Sequence, residues 1–211
     1  MILALDTCLT ACSAALLDGE TVLAARSEQM PRGHQERLAP LIQELMAEAG
    51  VSFPQLTRIG VTVGPGSFTG LRVGLAFAKG LSAALSIPAV GVGTLEAMAF
   101  GREGFVAAVL DARREQVYVQ LFGDGVALMA PDALTAHDAA ARIAELYAGG
   151  AATLVGTGAP LVAQVLPNAA VETPDGPDPI AVARLAARGP APTHAPRPLY
   201  LRAPDAKLPT L

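Results

Sequence analysis

Aromatic side chains make up only 4% of the 211 residues, and tryptophan is absent. Single-stranded nucleic acid therefore finds few rings to stack on. Charge is also sparse at 16%, with 15 Lys and Arg against 19 Asp and Glu, a net charge of −4. A chain that neutralises many phosphates carries a basic stripe, and here the arginines are scattered. Cys8 and Cys12 are the only cysteines, at C-x3-C spacing with no third to complete a metal site. They predict reduced, buried thiols in a cytosolic setting. His34, His137 and His194 are far apart and none stands at H-x3-H spacing, so neither a metal centre nor a bound cofactor is expected. A secretory signal is not expected either, because MILALDT lacks a basic region and Asp6 ends its apolar run. The charge-free stretch from Leu146 to Val171 is long enough to span a bilayer. It is interrupted by Gly149, Gly150, Pro160 and Pro167, and so reads as short globular elements. The expectation is a cytoplasmic protein with no membrane contact.

Apolar residues, by contrast, are plentiful at 52%, and mean hydropathy is +0.42, which excludes a disordered chain. Apolar runs at 2–5 and 14–17 flank a short polar connection and predict a hairpin, with a third strand over 21–27. Helical period follows over 34–49, where Leu38, Leu41, Ile42, Leu45 and Met46 share a face. Pro40 fits that helix only in its first turn. A strand over 59–63 runs through Gly64-Pro65-Gly66 into a helix over 68–85, then a strand near 89–92 and a helix near 94–101. The pattern then restarts. Residues 106–110 lead into Asp111 as 2–5 lead into Asp6, and both Asp6 to Asp111 and Leu16 to Leu121 span 105 residues. Helices near 136–148 and 159–166 complete the second copy, with Thr135 and Asp138 placed as a capping box. A further helix over 178–189, opened by Asp178-Pro179 and ended by Gly189-Pro190, is free to pack back on the first half. The Pro-rich tail beyond it is expected to lie extended over the surface.

Two halves, 1–102 and 103–211, each with an Asp ending its first strand, outline the α/β actin-like fold. In that fold two ribonuclease-H-like halves, mixed sheets flanked by helices, close over a cleft. Asp6 and Asp111 facing each other could hold a Mg²⁺-nucleotide beside Thr7, with Gly156 and Gly158 as the adenosine-side turn. The alternative is that each Asp accepts from backbone amides in the turn after its strand. An ATP-dependent phosphotransferase using Asp6 and Asp111 is accordingly one functional reading.

The most distinctive segment is GPGSFTGLRVGLAFAK, from Gly64 to Lys79. It lacks the Lys of a phosphate loop, the spacing of a dinucleotide fingerprint and the glycines of a nucleophile elbow. What remains is a tight strand-to-helix turn in which Ser67 or Thr69 caps the helix. Small residues recur on two stripes, Gly70-Gly74-Ala78 and Ala76-Gly80-Ala84, while Leu71, Val73, Leu75, Phe77 and Leu81 fill much of the rest. A helix apolar nearly all round must be covered nearly all round, either by its own core or by a second chain.

These blocks resemble the bacterial TsaB (YeaZ) family along nearly the whole chain. The similar segments are ILALDTCLTACSAALLDG, HQERLAPLIQEL, VTVGPGSFTGLRVGLAFAKGL, DARREQVY (Asp111 to Tyr118) and PLYLR (Pro198 to Arg202). The resemblance implies an actin-like fold without a complete active site. It implies an accessory, non-enzymatic subunit in making threonylcarbamoyl-adenosine at position 37 of tRNA. TsaD would be the catalytic partner and TsaE a further partner, with tRNA met only through the complex and a homodimer formed when the chain is alone. Where TsaD grips its metal, this chain has Thr94 and Met98, which are poor ligands. The family's pairing surface corresponds to helices 34–49 and 68–85. It would present Leu38, Leu41, Ile42 and Leu45 from the first, and Gly70, Arg72, Val73, Gly74, Leu75, Phe77, Ala78 and Leu81 from the second. Gly74→Arg and Leu75→Asp are then expected to break the complex and spare the fold.

Overall fold

The computed structural model describes residues 1–147, 152–189 and 192–202. Strands β1 (Ile2–Asp6) and β2 (Ala11–Asp18) form an antiparallel hairpin that β3 (Thr21–Gln29) extends. Helix α1 (His34–Glu48), β4 (Arg58–Gly64), α2 (Phe68–Leu85), β5 (Ala89–Gly93) and α3 (Thr94–Ala99) follow. The first sheet has the order β3-β2-β1-β4-β5, with β4 parallel to β1 and β5 parallel to β4. The second is built from β6 (Phe105–Arg113), β7 (Gln116–Gly123), β8 (Val126–Ala127), β9 (Asp132–Thr135), β10 (Thr153–Val155) and β11 (Ala170–Glu172). Its order is β11-β10-β6-β7-β8, and β9 pairs with the same strand β7. Helices α4 (Ala136–Leu146) and α5 (Ala159–Ala163) pack on it, and α6 (Pro179–Ala187) follows in the chain. In each sheet the opening strand has its hairpin partner on one side and two parallel strands on the other. The 105-residue repeat is thus a repeat of topology, and the architecture is the mixed α/β actin-like one.

The first sheet is buried on both faces because its alternate residues differ in size. Leu3, Leu5, Leu16, Ile59 and Val61 point toward α1 and α2 and interlock with Leu38, Leu41, Ile42 and Leu45. Ala4 and Ala15 point the other way and, with Gly60, leave a shallow bed for Val182, Ala183 and Ala186 of α6. The helix that follows the second sheet therefore closes the open face of the first. Between the sheets, Leu95 and Met98 of α3 pack on Val106, Ala108 and Leu110 of β6. No helix among the described residues is long and apolar enough to cross a membrane.

Several boundaries differ from the sequence expectation. Pro40 stands in the second turn of α1, not the first. It lies on the exposed side of the helix. Helix α3 stops at Ala99 before Gly101, whose φ of 77° suits glycine, and α5 stops at Ala163. Helix α4 ends at Leu146, short of the expected 148, because Tyr147 is already extended; position 148 falls outside the described residues, as do Gly149, Gly150, Pro190 and the tail beyond 202. Thr135 caps α4, accepting from the Asp138 amide at 3.1 Å.

A Cβ on Gly60 would lie 2.7 Å from the Ala186 Cβ. Gly60→Ala should therefore push α6 off the sheet and destabilise the fold by about 1–3 kcal/mol, read by urea denaturation. Ala186→Gly in the same chain should recover part of that loss.

Candidate functional site

The carboxyl of Asp6 ends β1 with no exposed surface. Its Oδ1 accepts from the Cys8 amide (3.1 Å) and from the Thr62 hydroxyl (2.5 Å), while Oδ2 has no hydrogen-bond partner. Gly176, in the loop before α6, lies over it, and a Cβ there would stand 3.4 Å from Oδ2. That loop is tied to the first sheet: the Gln29 amide donates to Asp175 Oδ1 (2.7 Å) and the Thr10 hydroxyl to the Asp175 carbonyl (3.1 Å). Burial pushes the Asp6 pKa up, against the lowering effect of the Thr62 and Cys8 hydrogen bonds and of the His34 charge. The two thiols are buried and unpaired by disulfide. Burial, with the Asp6 charge behind it, pushes Cys12 up to about 11 and Cys8 well above its ordinary value.

The other residues of the expected cleft take different places. Thr7 is buried and its hydroxyl donates to the Gly70 carbonyl at 2.7 Å, so it ties α2 to β1. Asp111 is partly exposed, and its Oδ1 accepts from the Arg113 amide at 2.7 Å. Gly156 and Gly158 press against the backbone of β6: a Cβ would come 2.3 Å from the Val109 carbonyl oxygen and 2.8 Å from the Leu110 carbonyl carbon. Close backbone approach accounts for both glycines. A cleft of about 770 Å³ does open between the halves, reached by Asp111, Thr157, Tyr118, His34 and Ser67. Asp6 does not line it, so the two carboxylates are not brought to one site. Thr94 and Met98 are both buried. Among the described residues, no group of three or more His, Cys, Asp or Glu could hold a metal ion.

Helix α2 divides its two stripes of small residues between two environments. Gly70, Gly74 and Ala78 face the chain's own sheet: a Cβ on Gly70 would lie 1.9 Å from the Thr7 carbonyl oxygen, and one on Gly74 2.8 Å from the Thr7 hydroxyl. Leu75 is buried with them, and Leu38, Leu41, Ile42 and Leu45 of α1 are fully within the core. Apart from Leu38, which floors the groove described below, these residues are covered by the chain's own core and cannot present side chains to a partner while the fold is intact. Gly74→Arg and Leu75→Asp would therefore disrupt the fold itself, contrary to the sequence expectation. Arg72 is exposed, and Val73, Phe77 and Leu81 are half-buried on the outer side. Arg72, Val73 and Phe77, with Phe68, Thr69 and Ala76, border an apolar groove of about 470 Å³ between α1 and α2, floored by Leu38 and edged by Gln35. Nothing lies within 4 Å of a Cβ on Gly80. Reasoning from sequence does not single out Phe68, Gln35 and Ala76, which line this groove. The second stripe was the signal for Ala76, but an all-apolar helix does not announce which stripe faces out.

A family model for TsaD, tRNA N6-adenosine threonylcarbamoyltransferase, matches residues 26–175. The TsaB protein of Escherichia coli is 41% identical over 122 residues, 56% of this chain and 52% of that one. A Pseudomonas aeruginosa structure with similarity to the peptidase YeaZ superposes with a TM-score of 0.82 at 30% identity, covering 95% of this chain and 99% of that one. The chain belongs to the TsaB (YeaZ) family. The match spans about half the length of Escherichia coli TsaB. Component A of the (R)-2-hydroxyglutaryl-CoA dehydratase of Acidaminococcus fermentans shares the fold alone, at a TM-score of 0.51 and 11% identity. In this TsaB-family chain the block GPGSFTGLR forms the turn after β4 and the first turn of α2, with Ser67 Oγ accepting from the Gly70 amide at 3.3 Å.

Because the folded-state pKa of Asp6 lies above the unfolded value, its ionisation opposes folding. The penalty is absent below the unfolded pKa and grows as pH rises toward the folded one. Asp6→Asn should consequently match the wild type in stability at low pH and exceed it at pH 7, measured by urea denaturation across pH. Equal stability at both ends would contradict the burial account.

Proposed function

We propose that this chain is an accessory subunit, itself without a catalytic centre, in the cytoplasmic synthesis of threonylcarbamoyl-adenosine at position 37 of tRNA. The half spanning 1–102 docks on a TsaD-type catalytic partner through the outer side of α1 and α2. A TsaE-type protein joins the assembly, and tRNA is met through the complex rather than by this chain alone. Without its partner, the chain pairs with a second copy of itself on the same face.

The apolar groove between α1 and α2 carries this reading. An aliphatic trough beside a phenylalanine 49% exposed is costly to leave in water. Gly80, with open space around it, lets another backbone come close. Membership of the TsaB family supports the pathway, since the relatives of that name are tRNA threonylcarbamoyladenosine biosynthesis proteins. The action is one of binding: a partner held in its competent arrangement gains only what its two states differ by in affinity. The phosphotransferase alternative needs two carboxylates at one site, and Asp6 is sealed away from the cleft that Asp111 lines.

Light scattering on a sizing column tests the proposal, with the chain alone and then mixed with TsaD from the same source. The expected result is a homodimer alone that converts to a mixed complex. Ala76→Arg, on an exposed position, should abolish both assemblies and leave the melting temperature unchanged. A wild-type chain that ignores TsaD, or an Ala76→Arg variant that binds it as well as the wild type, would contradict the docking face.

A further inference from the structure

The segment Pro198–Arg202 runs from the first sheet to the second along a path fixed at both ends. The Leu199 amide donates to the Val63 carbonyl of β4 at 2.7 Å. Its own carbonyl oxygen lies 2.9 Å from where a Cβ on Gly64 would stand, so the close seating needs glycine there. At the far end Arg202 Nη1 donates to the Ala112 carbonyl of β6, also at 2.7 Å. Between these ties the Tyr200 ring lies against Phe68, with centroids 5.6 Å apart. Phe68 in turn carries the Arg72 guanidinium, 3.8 Å from its ring centroid. Ring, ring and guanidinium form a row leading from the tail onto the groove, which Phe68 and Arg72 both border.

Neither ring is held by burial: Phe68 is 49% exposed and Tyr200 46%. Phe68 is the first residue of α2, where a side chain has no preceding turn to lean on. Its position then depends on Tyr200, whose backbone is anchored on either side. A guanidinium stacked in advance loses less rotamer freedom when it pairs than a free one does. Among the described residues no carboxylate borders the groove, and Arg72 and Lys79 are the only charged residues of α2. The groove's charge is complementary to an anionic side chain.

We infer that Tyr200 is a positioning residue for the docking face: it holds Phe68 beneath Arg72, and Arg72, so fixed, selects an occupant with a carboxylate beside its apolar contact. The identity of the occupant rests on the docking reading above. The inference gives the terminal PLYLR block a role apart from tying the sheets together.

Two measurements test it on the full chain, with Tyr200→Ala, Tyr200→Phe and Arg72→Ala. In NMR spectra of the chain alone, the Arg72 side-chain protons should be shifted upfield by the Phe68 ring. Tyr200→Ala should remove that shift and Tyr200→Phe, which keeps the ring, should retain it. In titrations with TsaD from the same source, Tyr200→Ala and Arg72→Ala should each weaken binding about three- to fivefold, as expected for an exposed charge pair. The double variant should bind no worse than either single one, and the loss should shrink at high salt. An unchanged Arg72 spectrum in Tyr200→Ala overturns the positioning role whatever the partner does. Additive losses, or wild-type affinity in Tyr200→Ala, overturn the link to selection. A wild-type chain that does not bind TsaD overturns the docking reading and with it the role given to Arg72, while the spectrum still decides whether Tyr200 positions it.

Discussion

Helix α2 lies at backbone contact with the end of β1, and the rest of the molecule is arranged around that approach. A Cβ at position 70 would stand 1.9 Å from the Thr7 carbonyl oxygen, and the Thr7 hydroxyl closes the contact by donating to the Gly70 carbonyl. Gly74 continues the seat one turn later. Only glycine allows this distance. It also fixes the rotation of α2 about its axis, sending Gly70, Gly74 and Ala78 inward and Arg72, Ala76 and Gly80 outward. Each glycine inside a helix costs roughly 1 kcal/mol relative to alanine, and the packing it permits offsets that loss. The groove, the rim cation and the ring row at the N-terminal end of α2 all follow from the same rotation.

A second constraint comes from the far end of the chain. Helix α6 covers the face of the first sheet that α1 and α2 leave open, and the loop leading into it seals Asp6. The halves are therefore not independent lobes hinged over an open site. The second half completes the core of the first, and the carboxyl at the head of β1 is taken out of the cleft. Burial of that carboxyl leaves Oδ2 unpaired. Polar groups left in this way cost stability, and the two hydrogen bonds to Oδ1 offset part of that cost.

Much of this was legible from sequence. Period-2 and period-3.6 patterns point to β1–β7 and to α1–α6, whereas β8–β11, of two to four residues each, are too short to show a period. Helix α2 is legible over its full length because its glycines and leucines keep helical spacing without a break. The 105-residue offset pointed to duplicated topology. What stayed illegible depended on long-range contact. The fate of Asp6 is decided by Gly176, and local patterning carries no trace of that encounter. Leu38, Leu41, Ile42 and Leu45 carry the marks of a contact face and of a core alike. The outer stripe of α2 differs from the inner one only in what lies opposite. Pro40 stands one turn deeper than local propensity allows because the apolar face of α1, packed on the first sheet, holds the helix through it.

The central claim is that the outer side of α1 and α2 is where this chain meets its partner. Hydroxyl-radical footprinting, with the chain diluted until light scattering shows a monomer and then with TsaD from the same source, addresses it directly because it reads side-chain exposure residue by residue. The account predicts protection of Phe68, Phe77 and Leu81 on mixing, with Tyr118 in the interdomain cleft unchanged. Protection confined to the cleft, with α2 as reactive as before, would contradict it.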